Sequence, residues 1–295
     1  MKAIETVSLT KYYGKHRGVE NVTFSVEEGD FYGFIGPNGA GKSTTIRTLL
    51  GLIAPSSGKA EIFGLDVREK ICEILRDVGY LPSETAFYRS MTVGETIALS
   101  ADLRGKDCKK TAAELCERLS LDTSKKVTEL SLGNKKKLGI VLALQHKPRL
   151  YILDEPTSGL DPLVQREFYD ILSERCDEGA TVFLSSHVLS EVGKYCKKAA
   201  VIRDGSILVS GNTRELGHTG IKRITLRGIR DIITDENIRD LTCEGDTVKF
   251  LYSGDARKLL SRLSEMEFED FTVSEPDLEE VFMHYYSEKN ERSTL

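Results

Sequence analysis

Through roughly the first two-thirds of the chain, short apolar runs alternate with stretches whose apolar residues recur every three or four positions. Phe31 to Ile35 leads straight into a glycine-rich segment, and Tyr151 to Leu153 and Val182 to Leu184 stand between helical patterns. Strands alternating with helices in this way predict an α/β architecture. After Lys42, the apolar residues Ile46, Leu49 and Leu50 fall at i, i+3 and i+4, and Gly51 followed by Pro55-Ser56-Ser57-Gly58 supplies a stop and a turn. A helix is therefore expected directly behind the glycine segment. Between about Val93 and Gln145 strand signals vanish, and three helical patterns, including Val93 to Leu103 and Cys108 to Leu119, predict an inserted all-helical subdomain over about residues 85–146. From Ile221 strand-like runs return (ITLRG, DTVKFLYSG, FEDFTVS), with helices expected near Asp255 to Ser264 and Asp277 to Ser287. These predict a small α+β domain over 219–295 behind a larger one over 1–218, with the boundary near Gly217 to Gly220.

Composition narrows the class. With 40% apolar and 29% charged residues, the 295-residue chain is ordinary for a folded globular protein. No apolar run approaches the roughly 20 residues of a membrane span, and the amino terminus reads unlike a secretory leader, so a cytosolic protein is expected. The six cysteines are scattered with no C-x-x-C pair, which points to neither zinc nor a disulfide framework. Residues 217–295 hold 11 Lys/Arg against 17 Asp/Glu, while residues 1–216 hold 30 against 29. An acidic module beside a nearly neutral one is a poor footprint for nucleic acid, and none is expected as a partner.

The candidate chemistry starts at Gly36-Pro37-Asn38-Gly39-Ala40-Gly41-Lys42-Ser43-Thr44, a complete G-x-x-x-x-G-K-[ST] loop between a predicted strand and a predicted helix. Glycines let successive amides turn toward phosphate oxygens, and the helix start adds positive dipole. Lys42 supplies a charge to the β/γ-phosphates, and Ser43 offers a hydroxyl to Mg²⁺. The run Leu150-Tyr151-Ile152-Leu153 ends in Asp154-Glu155. Asp154 is the expected metal ligand, and Glu155, which strand alternation would aim elsewhere, is the expected general base. Up to this point the reading is a Mg²⁺-dependent ATPase or GTPase.

Three further stretches narrow it: Leu130-Ser131-Leu132-Gly133-Asn134 upstream of the acids, Pro156-Thr157-Ser158-Gly159-Leu160-Asp161 after them, and His187 behind Ser185-Ser186. Their order, and separations of 89 residues from Lys42 to Ser131, 23 to Asp154 and 33 to His187, resemble the ATP-binding cassette (ABC) ATPases over about residues 3–216. Read alone, Ser-Leu-Gly-Asn is a helix cap and a turn. The resemblance implies a P-loop ABC ATPase fold and two cassettes paired head to tail, as a homodimer or heterodimer. Ser131 and Gly133 of one copy would then close the ATP held on Lys42 of the other. It also implies that His187 contacts the γ-phosphate, that Asp161 communicates across the pair, and that Tyr13 stacks on adenine, with Tyr12 adjacent.

Two positions depart from the family pattern. Leu132 stands where a glycine is usual, and Ser83 stands where a Gln usually touches Mg²⁺, so either Ser83 through water or Glu84 would serve. The ending Pro276-Asp277-Leu278-Glu279-Glu280-Val281-Phe282 resembles that of the small domain on bacterial drug- and ion-exporting members; its apolar spacing also fits a helix packing on its own sheet. The implied function is ATP hydrolysis at the cytoplasmic face of the membrane, driving a separate permease that exports a drug, antibiotic or peptide. A DNA-repair or ribosome-acting relative is disfavoured by the single cassette and the lack of heptads. A subunit that binds ATP and turns it over poorly is the other reading, motivated by Leu132 and Ser83.

Overall fold

The computed structural model describes residues 1–213, 222–229, 235, 237–264 and 266–274. The chain forms two compact units that meet between Gly211 and Asn212. The expected boundary at 217–220 and the expected helix at 277–287, with the Pro276 to Phe282 motif, lie outside the described residues.

The centre of the first unit is a six-stranded sheet in the order β10 (Ser206–Asn212), β9 (Lys198–Arg203), β3 (Phe31–Ile35), β8 (Thr181–Ser186), β7 (Leu150–Asp154), β6 (Val78–Leu81). The pairs β9–β3, β3–β8, β8–β7 and β7–β6 are all parallel. Every residue of β3, β7 and β8 is buried, as strands covered on both faces should be, and that is why they read as unbroken apolar runs. Parallel pairing sets the carboxyl ends of these strands along one edge, where loops gather into a site.

A second sheet, β2 (His16–Glu27), β1 (Lys2–Tyr13), β4 (Ser57–Ile62), β5 (Leu65–Asp66), packs against the first. Val22, Phe24 and Val26 of β2 alternate inward, and the Phe24 ring lies 5.3 Å from Phe34 and 5.6 Å from Phe183. Helix α1 (Lys42–Leu49) buries Ile46 and Leu49 in the same core, so the glycine segment ahead of it is anchored at both ends.

After the one-turn α2 (Ile71–Ile74) and β6, the chain leaves the sheet for three helices: α3 (Val93–Arg104), α4 (Lys109–Arg118) and α5 (Leu132–Leu144). Thr92 starts α3 with a capping box: its Oγ1 accepts from Glu95 N at 3.2 Å and its N donates to Glu95 Oε2 at 2.7 Å. Arg118 of α4 forks onto Glu167 and Glu174 of α6 (Pro162–Asp177), each at 2.5 Å. Helix α7 (Leu189–Tyr195) follows β8.

The second unit is an antiparallel sheet, β12 (Ile238–Glu244), β13 (Thr247–Tyr252), β11 (Lys222–Arg227), β14 (Asp270–Ser274), with α8 (Ala256–Leu263). Ile224, Leu226, Phe250, Leu259 and Leu263 form its own core. No helix among the described residues is long and apolar enough to cross a membrane.

Candidate active site

Loops from four parallel strands emerge along one edge: Gly36 onward after β3, Ser83 after β6, Glu155 after β7 and His187 after β8. The first is held in shape by its glycines. Gly41 caps α1 at φ 109°, a region hostile to side chains, and a Cβ there would stand 2.6 Å from Val19 Cγ1. A Cβ on Gly36 would stand 2.4 Å from the Ile202 carbonyl oxygen. No side chain caps α1, which leaves its first amides available to an anion.

Lys42 is 5% exposed and bends back over the loop. Its Nζ donates to the carbonyl oxygens of Gly36 at 2.6 Å and Pro37 at 3.1 Å, and forms an ion pair with Glu155 Oε1 at 3.1 Å. The other carboxylate oxygen, Oε2, lies 2.7 Å from His187 Nδ1. A carboxylate only accepts, so Nδ1 carries the hydrogen of this bond. Glu155 thus joins the lysine of the first loop to the histidine of the fourth. Its Oε1 is buried and, despite its nearness to Lys42, has no partner in hydrogen-bonding geometry.

What aims Glu155 differs from the expectation of strand alternation. β7 ends at Asp154, and Glu155 adopts a left-handed conformation at φ 49°, so a turn rather than the pleat swings its side chain toward Lys42. Ser185 fixes both acids. Its Oγ donates to Asp154 Oδ1 at 2.7 Å and accepts from Glu155 N at 3.1 Å, while its carbonyl accepts from Glu155 N at 3.2 Å. Asp154 is buried at 1% exposure.

A cleft of about 410 Å³ brings together Tyr13, Asn38, Gly39, Gly41, Lys42, Ser43, Thr44, Ser83 and Glu155, with Arg17 and Gly18 at its wall. Tyr13 stands beside Gly18, whose Cβ would come within 2.9 Å of its ring, whereas Tyr12 turns away and donates to Glu20 at 2.8 Å. Ser83 lines the cleft; the exposed Glu84 does not.

Ser131 and Gly133 are not among the residues lining this cleft. Ser131 caps α5, its Oγ accepting from Asn134 N at 3.3 Å, and Gly133 lies against the segment after Glu155, where a Cβ would stand 3.1 Å from the Gly159 carbonyl oxygen. Leu132 between them is 75% exposed. Asp161 caps α6, accepting from the amides of Leu163 and Val164 at 3.1 and 3.0 Å.

Comparison with known proteins identifies the family. The ABC transporter family model matches residues 19–158. The bacitracin transport ATP-binding protein BcrA of Bacillus licheniformis is 36% identical over 298 residues, covering 95% of this chain and 96% of that protein. The chain belongs to the ABC transporter ATP-binding proteins. The BcrA protein of Enterococcus faecalis is 38% identical over 216 residues, covering 72% of this chain and 70% of the relative. A solved ATP-binding subunit of an ABC transporter superposes with a TM-score of 0.69 at 31% identity, over 72% of this chain and 91% of that one. The fold is accordingly the P-loop ABC ATPase fold, and the chain is a nucleotide-binding transporter ATPase.

Within this ABC cassette, several residues at the site have roles that the motifs do not assign. Ser185 stands directly opposite Asp154 in the β7–β8 register, a small polar residue where the apolar run of β8 gives way to Ser185-Ser186. Glu191 of α7 accepts from Thr157 Oγ1 at 3.1 Å and from the Tyr169 hydroxyl at 2.8 Å, tying the segment after Glu155 to the helix behind His187. Lys136 of α5 is buried, and loss of solvent pushes its amine down to about 8 although Asp154 and Glu155 favour the charged form.

Proposed function

We propose that the cleft binds Mg-ATP and hydrolyses it between two paired cassettes, at the cytoplasmic face of the membrane, to drive a separate permease. The observation that carries this reading is the Lys42–Glu155–His187 chain at the foot of the glycine loop. Phosphate oxygens entering the loop compete with Glu155 for Lys42 Nζ and free the carboxylate to accept a proton from water. His187 holds the other oxygen of Glu155 and so fixes where that proton is received. Asn38, Gly39, Gly41 and Thr44 offer amides and a hydroxyl to the phosphates, and the exposed face of Tyr13 suits adenine stacking.

The donor set fits Mg²⁺: hard oxygens from the Ser43 hydroxyl, the Asp154 carboxylate held by Ser185, and Ser83. When bound, the ion neutralises charge on the β/γ-phosphates. Ser131 and Gly133 do not line their own cleft, so in this reading the same residues of a second copy, or of a related subunit, close it. The names of the BcrA relatives favour export of an antibiotic, with drugs and peptides as neighbouring cargoes.

The permease has a natural seat. Within five residues of Ser83 the chain enters an apolar groove lined by Phe87, Tyr88, Leu99 and Leu103, in which Tyr88 is 69% and Leu103 80% exposed. A cytoplasmic apolar segment of the membrane subunit would cover this face.

Phosphate release by the purified chain with Mg-ATP tests the reading. Turnover that disappears with Lys42→Ala supports it; nucleotide binding that is unchanged by that substitution contradicts the phosphate-site assignment.

A further inference from the structure

Helix α5 begins at the Ser131 cap and lies unusually close to β6 and the residues after it. A Cβ on Gly139 would stand 2.8 Å from Leu81 Cδ1 and 2.9 Å from Thr85 Cγ2, and one on Gly79 of β6 would stand 2.2 Å from the Ala143 carbonyl oxygen. Lys136, Gly139 and Ala143 fall at i, i+3 and i+7, so they share one helix face. At the amino end of that face Lys136 is 4% exposed, and its Nζ donates to the carbonyl oxygens of Pro82 at 3.3 Å and Ser83 at 3.0 Å. Ser83 also lines the cleft with Lys42 and Glu155.

A lysine is a costly means of joining two segments out of water, since an ammonium gives up strong hydration. Methionine would fill the same space without that cost. What the ammonium adds is direction: it bonds two successive carbonyls of a single loop and follows that loop when it moves. Ser131 is five residues from Lys136 on the same helix, or about 7.5 Å along its axis, within reach of rigid-body transmission.

We propose that Lys136 is a positioning residue that couples the Pro82–Ser83 backbone at the cleft to the start of α5, so that nucleotide arriving beside Ser83 sets the orientation of Ser131. This rests on the reading of the cleft as the nucleotide site.

Amide hydrogen exchange on the full chain tests it, with the magnesium complex of adenylyl imidodiphosphate as the probe and at a concentration where light scattering shows a single copy. In the wild type, protection of residues 82–84 and of 131–136 should change together, with the same nucleotide midpoint. Separate midpoints, or a response at 82–84 alone, overturn the coupling even if no variant folds. In Lys136→Met, residues 36–44 and 82–84 should still respond while 131–136 should not. Calorimetric affinity for the probe should stay within about threefold and kcat should fall about tenfold or more, a split that general loosening of the fold would not produce. Lys136→Gln retains two donors and should restore most of both the exchange response and kcat. A Met variant whose 131–136 segment responds as in the wild type contradicts the proposal. Loss of the response at 36–44 in the wild type itself would instead refute the nucleotide site.

Discussion

At the scale of single residues the site depends on a few buried polar groups, each with little room to change. Lys42→Ala removes the charge at the foot of the loop and leaves Glu155 without its ion pair, so ATP affinity should fall at least tenfold by calorimetry. Ser185→Ala tests a residue to which the motifs assign no role. It strips the donor from buried Asp154, and leaving such a group unsatisfied costs about 1–3 kcal/mol, which should appear as a lower Tm together with weaker Mg²⁺-dependent turnover. Equal stability and turnover in Ser185→Ala would mean that Asp154 needs no orienting. The glycine loop and the acid pair are legible in the sequence because their spacing is set by the phosphate chemistry they serve. Ser185 and Lys136 are not. A serine in a strand reads as filler, and a lysine within Lys135-Lys136-Lys137 reads as part of a solvated face, since burial is decided by tertiary packing that periodicity cannot see.

At the scale of elements, α5 and β6 form the joint between the helical insert and the sheet, and a second buried group sits at its far end. His146 is 5% exposed, its Nε2 lies 3.3 Å from the Val78 carbonyl oxygen, and its Nδ1 has no partner among the described residues. Burial, aided by Arg104, lowers the imidazole to about 4 from its ordinary 6.5. The unfolded chain therefore takes up a proton below about pH 6.5 that the folded chain refuses until about pH 4. The stability owed to neutral His146 is complete above pH 6.5 and drains away as the pH falls toward 4, by about 3 kcal/mol in all. In His146→Gln the drop in Tm between pH 7 and pH 5 should shrink; an unchanged drop would assign the acid sensitivity elsewhere. Legibility at this scale follows burial for most strands, although β14, exposed throughout, is also legible in the run FEDFTVS. β3, β7 and β8 are covered on both faces and stand out as apolar runs, whereas β1 carries bulges between Thr6 and Leu9 and between Leu9 and Lys11 that break its alternation. β12 buries no residue fully, so its sequence offers no run to recognise.

At the scale of the whole molecule, two separate cores predict that a chain ending at Thr213 folds and binds nucleotide by itself. Insoluble protein, or folded protein without ATP affinity, would show that the first unit needs the second. Permease docking is tested by Leu103→Glu, which places a charge in the apolar groove and should reduce co-purification with the membrane subunit severalfold.

The central claim is that the cleft holds ATP until Glu155 takes a proton from water, and that a second cassette closes over the nucleotide meanwhile. Glu155→Gln keeps the size of the side chain and leaves Lys42, Ser43 and Asp154 in place, so Mg-ATP should bind while hydrolysis falls roughly 10²–10⁴-fold. The most direct measurement is light scattering of this variant with Mg-ATP and with Mg-ADP. A mass of two copies with ATP and one with ADP, abolished by adding Ser131→Arg, is the predicted result. A mass that never depends on nucleotide, at concentrations well above those of a turnover assay, would contradict closure by a second cassette.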